Sequence, residues 1–170
     1  MYANARGDAY DSIIAIYFLE GGGGVARSWT TTSFYQDSTA WTHLLVRYDS
    51  TDVTADDRIQ IWVNGTRISD WSSQDGGNPD LNETCDVFAD QNLAVGRECD
   101  SGDRFSFNGY LAEVCVLDGT AADATDFGEF DETNATVWKP KKVSGLAFGT
   151  NGFYLDFQDS ANLGNDANGG

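Results

Sequence analysis

The chain has 170 residues, the size of one domain, and its 41% hydrophobic and 13% aromatic content is sufficient for a buried core. Its 27 acidic and 10 basic side chains give a net charge of −17, which excludes phosphate backbones as ligands and disfavours anionic membrane surfaces. No stretch approaches the roughly 20 apolar residues that cross a bilayer, so we expect no nucleic-acid partner and no membrane insertion.

The acidity comes mainly from aspartate, since 21 Asp residues stand against 6 Glu residues, and 19 Gly residues accompany them. Asp and Gly favour turns over the interiors of helices and strands. The composition therefore predicts many turns between short strands. The carboxylates either form a hydrated surface or, in part, bind Ca²⁺, which takes six to eight oxygen ligands.

The first half of the chain contains several segments with strand composition. Residues 1–11 form a leader without the apolar block of a signal peptide. Residues 12–18 and 27–35 are rich in β-branched and aromatic residues. Residues 41–49 form the next predicted strand, which places three apolar side chains on one face: Leu44, Val46 and Tyr48.

Residues 58–64 alternate most clearly, with Ile59, Ile61 and Val63 on one side. Asn64-Gly65 follows, the dipeptide preferred in type I′ hairpins, and residues 67–71 are expected to return along the first strand. Residues 72–89 are polar and read as a long loop, a kind of segment that is often functional.

The second half predicts fewer elements. Residues 105–117 form the longest strand-like run, with Asn108-Gly109 as a bulge or turn inside it, and residues 93–96 and 153–158 are shorter strands. Residues 120–127 suit one or two helical turns capped by Thr120 and ended by Gly128. Together these features predict an all-β protein, a two-sheet antiparallel jelly-roll sandwich over residues 12–160, with a Gly/Asn-rich tail or linker at 161–170.

Three segments together resemble the laminin G-like, concanavalin A-like jelly-roll domains. They are WTHLLVRYD at 41–49, RIQIWVNGTRI at 58–68 and FNGYLAEVCVLDGTAADATDFGEFDE at 107–132. The segments at 111–129, 137–142 and 149–170 are similar to a version found in structural proteins of tailed, often marine, bacteriophages. The resemblance implies a location on the virion surface or outside the cell, other virion proteins as partners and a homo-oligomer. It carries no family-wide catalytic residue onto this sequence.

Candidate catalytic patterns are weak, and we expect no enzyme. Residues 98–103 depart from the E-x-D-x-x-E strand of related glucanases, because Asp103 replaces the acid/base Glu, and residues 129–132 fail the spacing too. His43, the single histidine, lies in an apolar strand and is expected to be structural. Residues 21–26 fit G-x-G-x-x-A, but a strand-like segment follows, so they are interpreted as a hairpin turn.

Metal and thiol chemistry stays open at this point. Asp100 and Asp103 are the metal candidates, with Ca²⁺ the ion considered and no other cofactor expected. Cys85 and Cys99 lie in polar surroundings and either form a disulfide or remain thiols, whereas Cys115 lies in an apolar run as a small hydrophobe.

A glycan site would combine an aromatic platform with amides and carboxylates. The candidate residues are Trp71, Asp75, Asn78 and Asp80, with Tyr35 as a second aromatic. Alternatively, Trp71 packs under its own loop or in a contact between subunits.

The leading hypothesis is a non-enzymatic virion surface module, a head decoration, tail or fibre component for display, subunit contact or host attachment. The alternatives are an adhesin or lectin domain for a cell-surface glycan, a glycoside hydrolase, and a calcium-dependent adhesion domain of a cellular organism.

Overall fold

Antiparallel β-strands make up most of the regular structure in the computed structural model, which describes residues 14–20, 25–35, 37, 39–85, 94–96, 107 and 109–168. The strands form two three-stranded sheets and two two-stranded sheets within these residues. The fold is therefore all-β, as the composition and the alternating segments predict.

The first sheet has the order β1 (Ala15–Glu20), β2 (Val25–Thr31) and β6 (Trp71–Asp75). β1 and β2 are antiparallel, with Glu20 opposite Val25. Residues 21–24 lie outside the described residues, but the strand that follows them excludes the strand-then-helix context that a dinucleotide fingerprint requires. The strands predicted at 12–18 and 27–35 are confirmed where they are described, with shifted ends.

The second sheet has the order β3 (Leu44–Tyr48), β4 (Ile59–Val63) and β5 (Thr66–Arg67), with a single 3₁₀ turn at Ala55–Asp57 before β4. Val63 pairs with Thr66 across the two-residue connection. Asn64 and Gly65 have φ angles of 48° and 72°, the positive pair that a type I′ turn requires. The hairpin predicted from Asn64-Gly65 is confirmed, but its return strand is shorter than the predicted 67–71, because β5 ends at Arg67 and Trp71 begins β6 of the first sheet.

The two three-stranded sheets share one hydrophobic core. Its fully buried members are Ile16 of β1, Trp29 of β2, and Ile59 and Ile61 of β4. Partly buried apolar residues pack against them: Ile14, Leu44, Val46, Tyr48, Ile68, Trp71 and Cys85. A strand turns successive side chains to opposite faces. The prediction that Ile59, Ile61 and Val63 face inward is confirmed, because all three side chains are buried.

A further layer covers the opposite face of the second sheet. It consists of α1 (Ala124–Phe127), β8 (Gly128–Phe130) and β9 (Trp138–Pro140), the last two forming a hairpin. The His43 ring lies 6.4 Å from Phe127 and 5.8 Å from Trp138, measured between ring centroids. The outward face of the second sheet is therefore not a solvent face.

The short helix differs from its prediction in how it begins. The Asp123 backbone N–H donates to the Asp126 carboxylate at 2.8 Å, the second half of a capping box, so Asp123 starts α1. The Thr120 hydroxyl instead donates to the Ala147 carbonyl at 3.0 Å. Gly128 ends the helix as predicted.

Other segments of the chain also depart from their predictions, and residues 94–96, part of a predicted strand, are not strand. Residues 72–75, expected to be loop, belong to β6. The long strand expected over 105–117 is present only as β7 (Val114–Val116), which pairs with β10 (Phe153–Leu155). Residues 109–113 are not strand, and Glu113 has a φ of 56°, which ends regular strand geometry before Val114. Residues 105, 106 and 108 lie outside the described residues.

The C-terminal segment runs back along β10. The Tyr154 backbone N–H donates to the Asp166 carboxylate at 2.9 Å, and the Ala167 N–H donates to the Tyr154 carbonyl at 2.8 Å.

Cys115 is half-buried in β7, and burial, with a smaller contribution from Glu113, raises the pKa of its thiol to about 11.

Candidate functional site

A one-residue irregularity in β6 places Trp71 where it can form a site. Trp29 pairs with Gln74 and Thr30 with Ser73, but Thr31 pairs with Trp71, so Ser72 has no partner in the register. Such a bulge shifts the alternation of side chains by one residue. As a result, Trp71 and Gln74, three residues apart, both face the core side of the first sheet, beside Trp29.

Trp71 forms one wall of a cleft of about 280 Å³ beside the core. Trp29 and Ile59 form the floor of the cleft, and they are only 2% and 7% exposed. Ile68 and Ser69, which follow β5, line the cleft as well. The cleft thus lies between the edge strand β6 of the first sheet and the β4–β5 hairpin of the second.

Arg67 and Asp56 place charge at the cleft. The Arg67 guanidinium lies 2.7 Å from Asp57 Oδ1 and donates to the Asp56 carbonyl at 3.0 Å. The Asp57 carboxylate also accepts a hydrogen bond of 2.8 Å from Gln60. Arg67 and then Gln60 lower the pKa of Asp57, so that carboxyl is ionised at neutral pH.

A chain of amide hydrogen bonds completes the polar side of the cleft. The Gln74 amide donates to Asn78 Oδ1 at 2.9 Å, and the Asn78 amide donates to Asp56 Oδ1 at 2.6 Å. The three residues come from β6, from the loop after β6 and from the 3₁₀ turn. The chain fixes the three side chains in one orientation while leaving further donor and acceptor capacity on each of them.

The structure brings together two of the five residues predicted for a glycan site. Trp71 and Asn78 line the cleft. Asp75 pairs with Ser28 and accepts a hydrogen bond from the Ser28 hydroxyl at 3.3 Å, on the opposite face of β6 from Trp71. Asp80 is exposed and Tyr35 half-buried, and neither lines the cleft. Burial raises the pKa of Tyr35.

The sequence interpretation did not assign the other lining residues to the site, among them Trp29, Asp56, Arg67 and Gln74. Trp29 and Gln74 are neighbours only because β2 and β6 pair, 45 positions apart in sequence numbering. The sequence contains no local signal that would bring these four residues to Trp71.

The metal candidates Asp100 and Asp103 lie outside the described residues. In the part of the chain that is described, no group of three or more His, Cys, Asp or Glu side chains could hold a metal ion. Several loop carboxylates close turns. Asp49 Oδ1 accepts from the backbone N–H of Thr51 at 3.1 Å and from its hydroxyl at 2.6 Å, and Asp52 accepts from the Thr54 N–H.

The catalytic candidates are placed as follows. Residues 98–103 lie outside the described residues. Glu129 lies 3.6 Å from the Lys141 ammonium, and Asp131 lies 3.1 Å from that of Lys139. Bonds from Thr133, then Lys139 and Asn134, hold the pKa of Asp131 far below its usual range, so it is not suited to donate a proton.

His43 is packed as part of the layer interface. Burial lowers the pKa of its imidazole, and its Nδ1 is buried without a hydrogen-bond partner. Within the described part of the chain, the ring packs beside Phe127 and Trp138. This environment suits the structural role expected from the apolar strand.

No helix among the described residues is both long and apolar enough to cross a membrane. Comparison of the chain with protein-family models, with curated proteins and with solved structures gave no match. The fold and the geometry of the cleft therefore carry the functional argument.

Proposed function

We propose that the chain is a non-enzymatic binding module that takes a saccharide into the Trp71 cleft. The observation that carries this proposal is a tryptophan that lines the same cleft as a hydrogen-bonded row of amide and carboxylate groups and a guanidinium group. Sugars need this combination, because their C–H faces are apolar while their hydroxyls demand paired donors and acceptors.

The polar groups of the cleft can accept a hydrogen bond from a sugar hydroxyl and donate one to its oxygen. Asp56 has a second carboxylate oxygen to accept a hydrogen bond, and Asn78 has a second amide hydrogen to donate one. Because Gln74, Asn78 and Asp56 already hold one another, little side-chain entropy is lost when a ligand binds. A pre-arranged row of this kind favours recognition of a polar ligand over nonspecific apolar contact.

The arrangement of carboxylates favours binding over hydrolysis. Glycoside hydrolases use two carboxylates, about 5–5.5 Å apart in retaining and 6.5–9.5 Å apart in inverting enzymes, and one must carry a proton. Among the described residues, Asp56 is the one carboxylate that lines the cleft. Its neighbour Asp57 has a lowered pKa and is engaged by Arg67, so it is unsuited to act as an acid.

The setting we propose is the surface of a phage virion, where copies of a jelly-roll domain serve display and host attachment. This part of the proposal is supported by the resemblance of residues 111–129, 137–142 and 149–170 to phage structural proteins and by a core shared between two antiparallel sheets. A net charge of −17 would keep crowded copies dispersed. The partners would be other virion proteins, further copies of the chain and a cell-surface glycan.

A glycan array with the purified chain tests the binding proposal. We expect micromolar-to-millimolar binding to at least one glycan, lost in Trp71→Ala and retained in Trp41→Ala. Trp41 is the matched control because its ring is 68% exposed and does not line the cleft. Binding that survives Trp71→Ala, or release of reducing ends from a polysaccharide, would contradict the proposal. Co-purification with phage particles tests the virion setting separately.

A further inference from the structure

Among the described residues, the charged groups around the cleft leave it with no unpaired positive charge. Arg67 is the one cationic side chain that lines the cleft in the described part of the chain. Its guanidinium is already paired with Asp57 at 2.7 Å. Asp56 then adds a second carboxylate, so the three groups together carry a net charge of −1.

An anionic sugar would meet this site unfavourably. Its carboxylate or sulfate would face Asp56 or would compete with Asp57 for the charge of Arg67. Like charges placed in contact oppose binding. A neutral hydroxyl has neither difficulty, since it can donate to Asp56 Oδ2 or accept from the Asn78 amide.

The volume of the cleft limits the size of the ligand. About 280 Å³ lies just below the range of roughly 300–1,000 Å³ that encloses drug-sized ligands. A single aromatic wall, Trp71, gives one stacking surface, because Trp29 is 2% exposed and serves as floor. The cleft can therefore cover one or two sugar rings, with any longer chain extending into solvent.

We infer that the Trp71 cleft selects neutral saccharides, reads one or two sugar rings and rejects rings that carry a carboxylate, sulfate or phosphate. The inference rests on the proposed function and specifies the class of ligand. The discrimination arises at Asp56 and the Arg67–Asp57 ion pair, rather than from the acidity of the protein as a whole.

Calorimetric titration with matched sugars tests the inference. The probes are neutral di- and trisaccharides found on the array and the same sugars carrying a uronate or sulfate on the recognised ring. We expect the anionic forms to bind at least about tenfold more weakly. The difference should persist at about 1 M salt, where the screening length falls to roughly 3 Å and the field of distant surface carboxylates is removed.

Asp56→Asn is the matched variant, because asparagine keeps an Oδ1 that can accept from Asn78 while the charge is lost. We expect this variant to reduce the difference in affinity between neutral and anionic sugars. An unchanged melting temperature would show that the variant is folded. Equal or tighter binding of anionic sugars would overturn the inference and leave the proposed function standing. A preference that vanishes in high salt, or an affinity that keeps rising beyond three rings, would also overturn it. No binding of any sugar would overturn both.

Discussion

The Asn78 side-chain amide donates a hydrogen bond of 2.6 Å to Asp56 Oδ1, 22 positions earlier in the chain. This bond ties the loop after β6 to the 3₁₀ turn before β4. Because β6 belongs to the first sheet and β4 to the second, the bond closes one side of the cleft across the two sheets. Through Gln74, the same chain of hydrogen bonds reaches β6, the strand that begins with Trp71.

Asn78→Ala should therefore weaken saccharide binding more than stability. The substitution removes a donor and acceptor that join Gln74 to Asp56, at a cost in folding of about 1 kcal/mol. We expect roughly tenfold weaker sugar binding, measured by calorimetric titration, with unfolding in urea as the stability readout. Asp80→Asn is the control, since Asp80 is exposed and does not line the cleft. Equal effects of the two substitutions would contradict a role for the amide row.

Glycines beside Trp138 give a second prediction. A Cβ at Gly65 or Gly128 would overlap the Trp138 ring, whereas a Cβ at Gly77 would meet nothing within 4 Å. Gly65 and Gly77 have φ angles of 72° and 70°, but the backbone of Gly128 is extended. Alanine at Gly77 thus tests positive φ alone, alanine at Gly128 tests the overlap alone, and alanine at Gly65 tests both.

We expect Gly77→Ala to destabilise the fold by about 1–2 kcal/mol and Gly128→Ala by about 1–3 kcal/mol. Gly65→Ala should cost more than either. Chemical denaturation of the three variants supplies the measurement. If Gly65→Ala and Gly77→Ala cost the same, Trp138 does not pack against the Asn64-Gly65 turn as described.

Stability should fall in mildly acidic solution because of His43. Burial lowers the pKa of the folded imidazole below the unfolded value of about 6.5, so the unfolded chain binds the proton more readily. This contribution is complete above pH 6.5 and is lost as the pH falls toward the folded pKa. Carboxylates with lowered pKa values, such as Asp57, lose their contribution only at lower pH.

His43→Phe should remove the loss of stability just below pH 6.5 while keeping the ring contacts with Phe127 and Trp138. Since Nδ1 is buried without a partner, its removal should not destabilise the protein at pH 8. Melting temperatures of the two proteins from pH 8 to 5 provide the test. A parallel decline in both would show that another group causes it.

The Cys115 thiol should react slowly in the folded protein. Burial raises its pKa to about 11, and the neutral thiol is not a nucleophile. At pH 8 we expect alkylation about 100-fold slower than in the denatured chain, followed at the Cys115 peptide by mass spectrometry. Similar rates in folded and denatured protein would contradict the half-buried position of Cys115 in β7.

The sequence predicts local structure well where one dipeptide or one alternation decides it. Asn64-Gly65 defines its turn because both positions need positive φ, and the alternation around Ile61 decides which face of β4 is buried. Acidic loops have a local explanation too. Asp49 and Asp131 each accept the N–H and hydroxyl of the threonine two residues later, so part of the Asp content is turn chemistry.

Only part of the site could be predicted from the sequence, because the cleft depends on pairing between distant strands. Trp71 and Asn78 stand close in sequence and share a recognisable composition. Strict alternation would place Gln74 on the opposite face of β6 from Trp71. The bulge at Ser72 brings Gln74 to the same face as Trp71. Arg67 and Asp56 arrive from the second sheet. No single segment encodes these relationships.

The indole N–H resonances of the five tryptophans offer the most direct test of the Trp71 cleft as a saccharide site. In a two-dimensional NMR titration with a sugar that binds on the array, we expect the Trp71 signal to move most. Trp29 should follow as the floor of the cleft. The Trp41, Trp62 and Trp138 signals should stay in place. A titration that moves Trp41 and leaves Trp71 unchanged would contradict the assignment of the cleft.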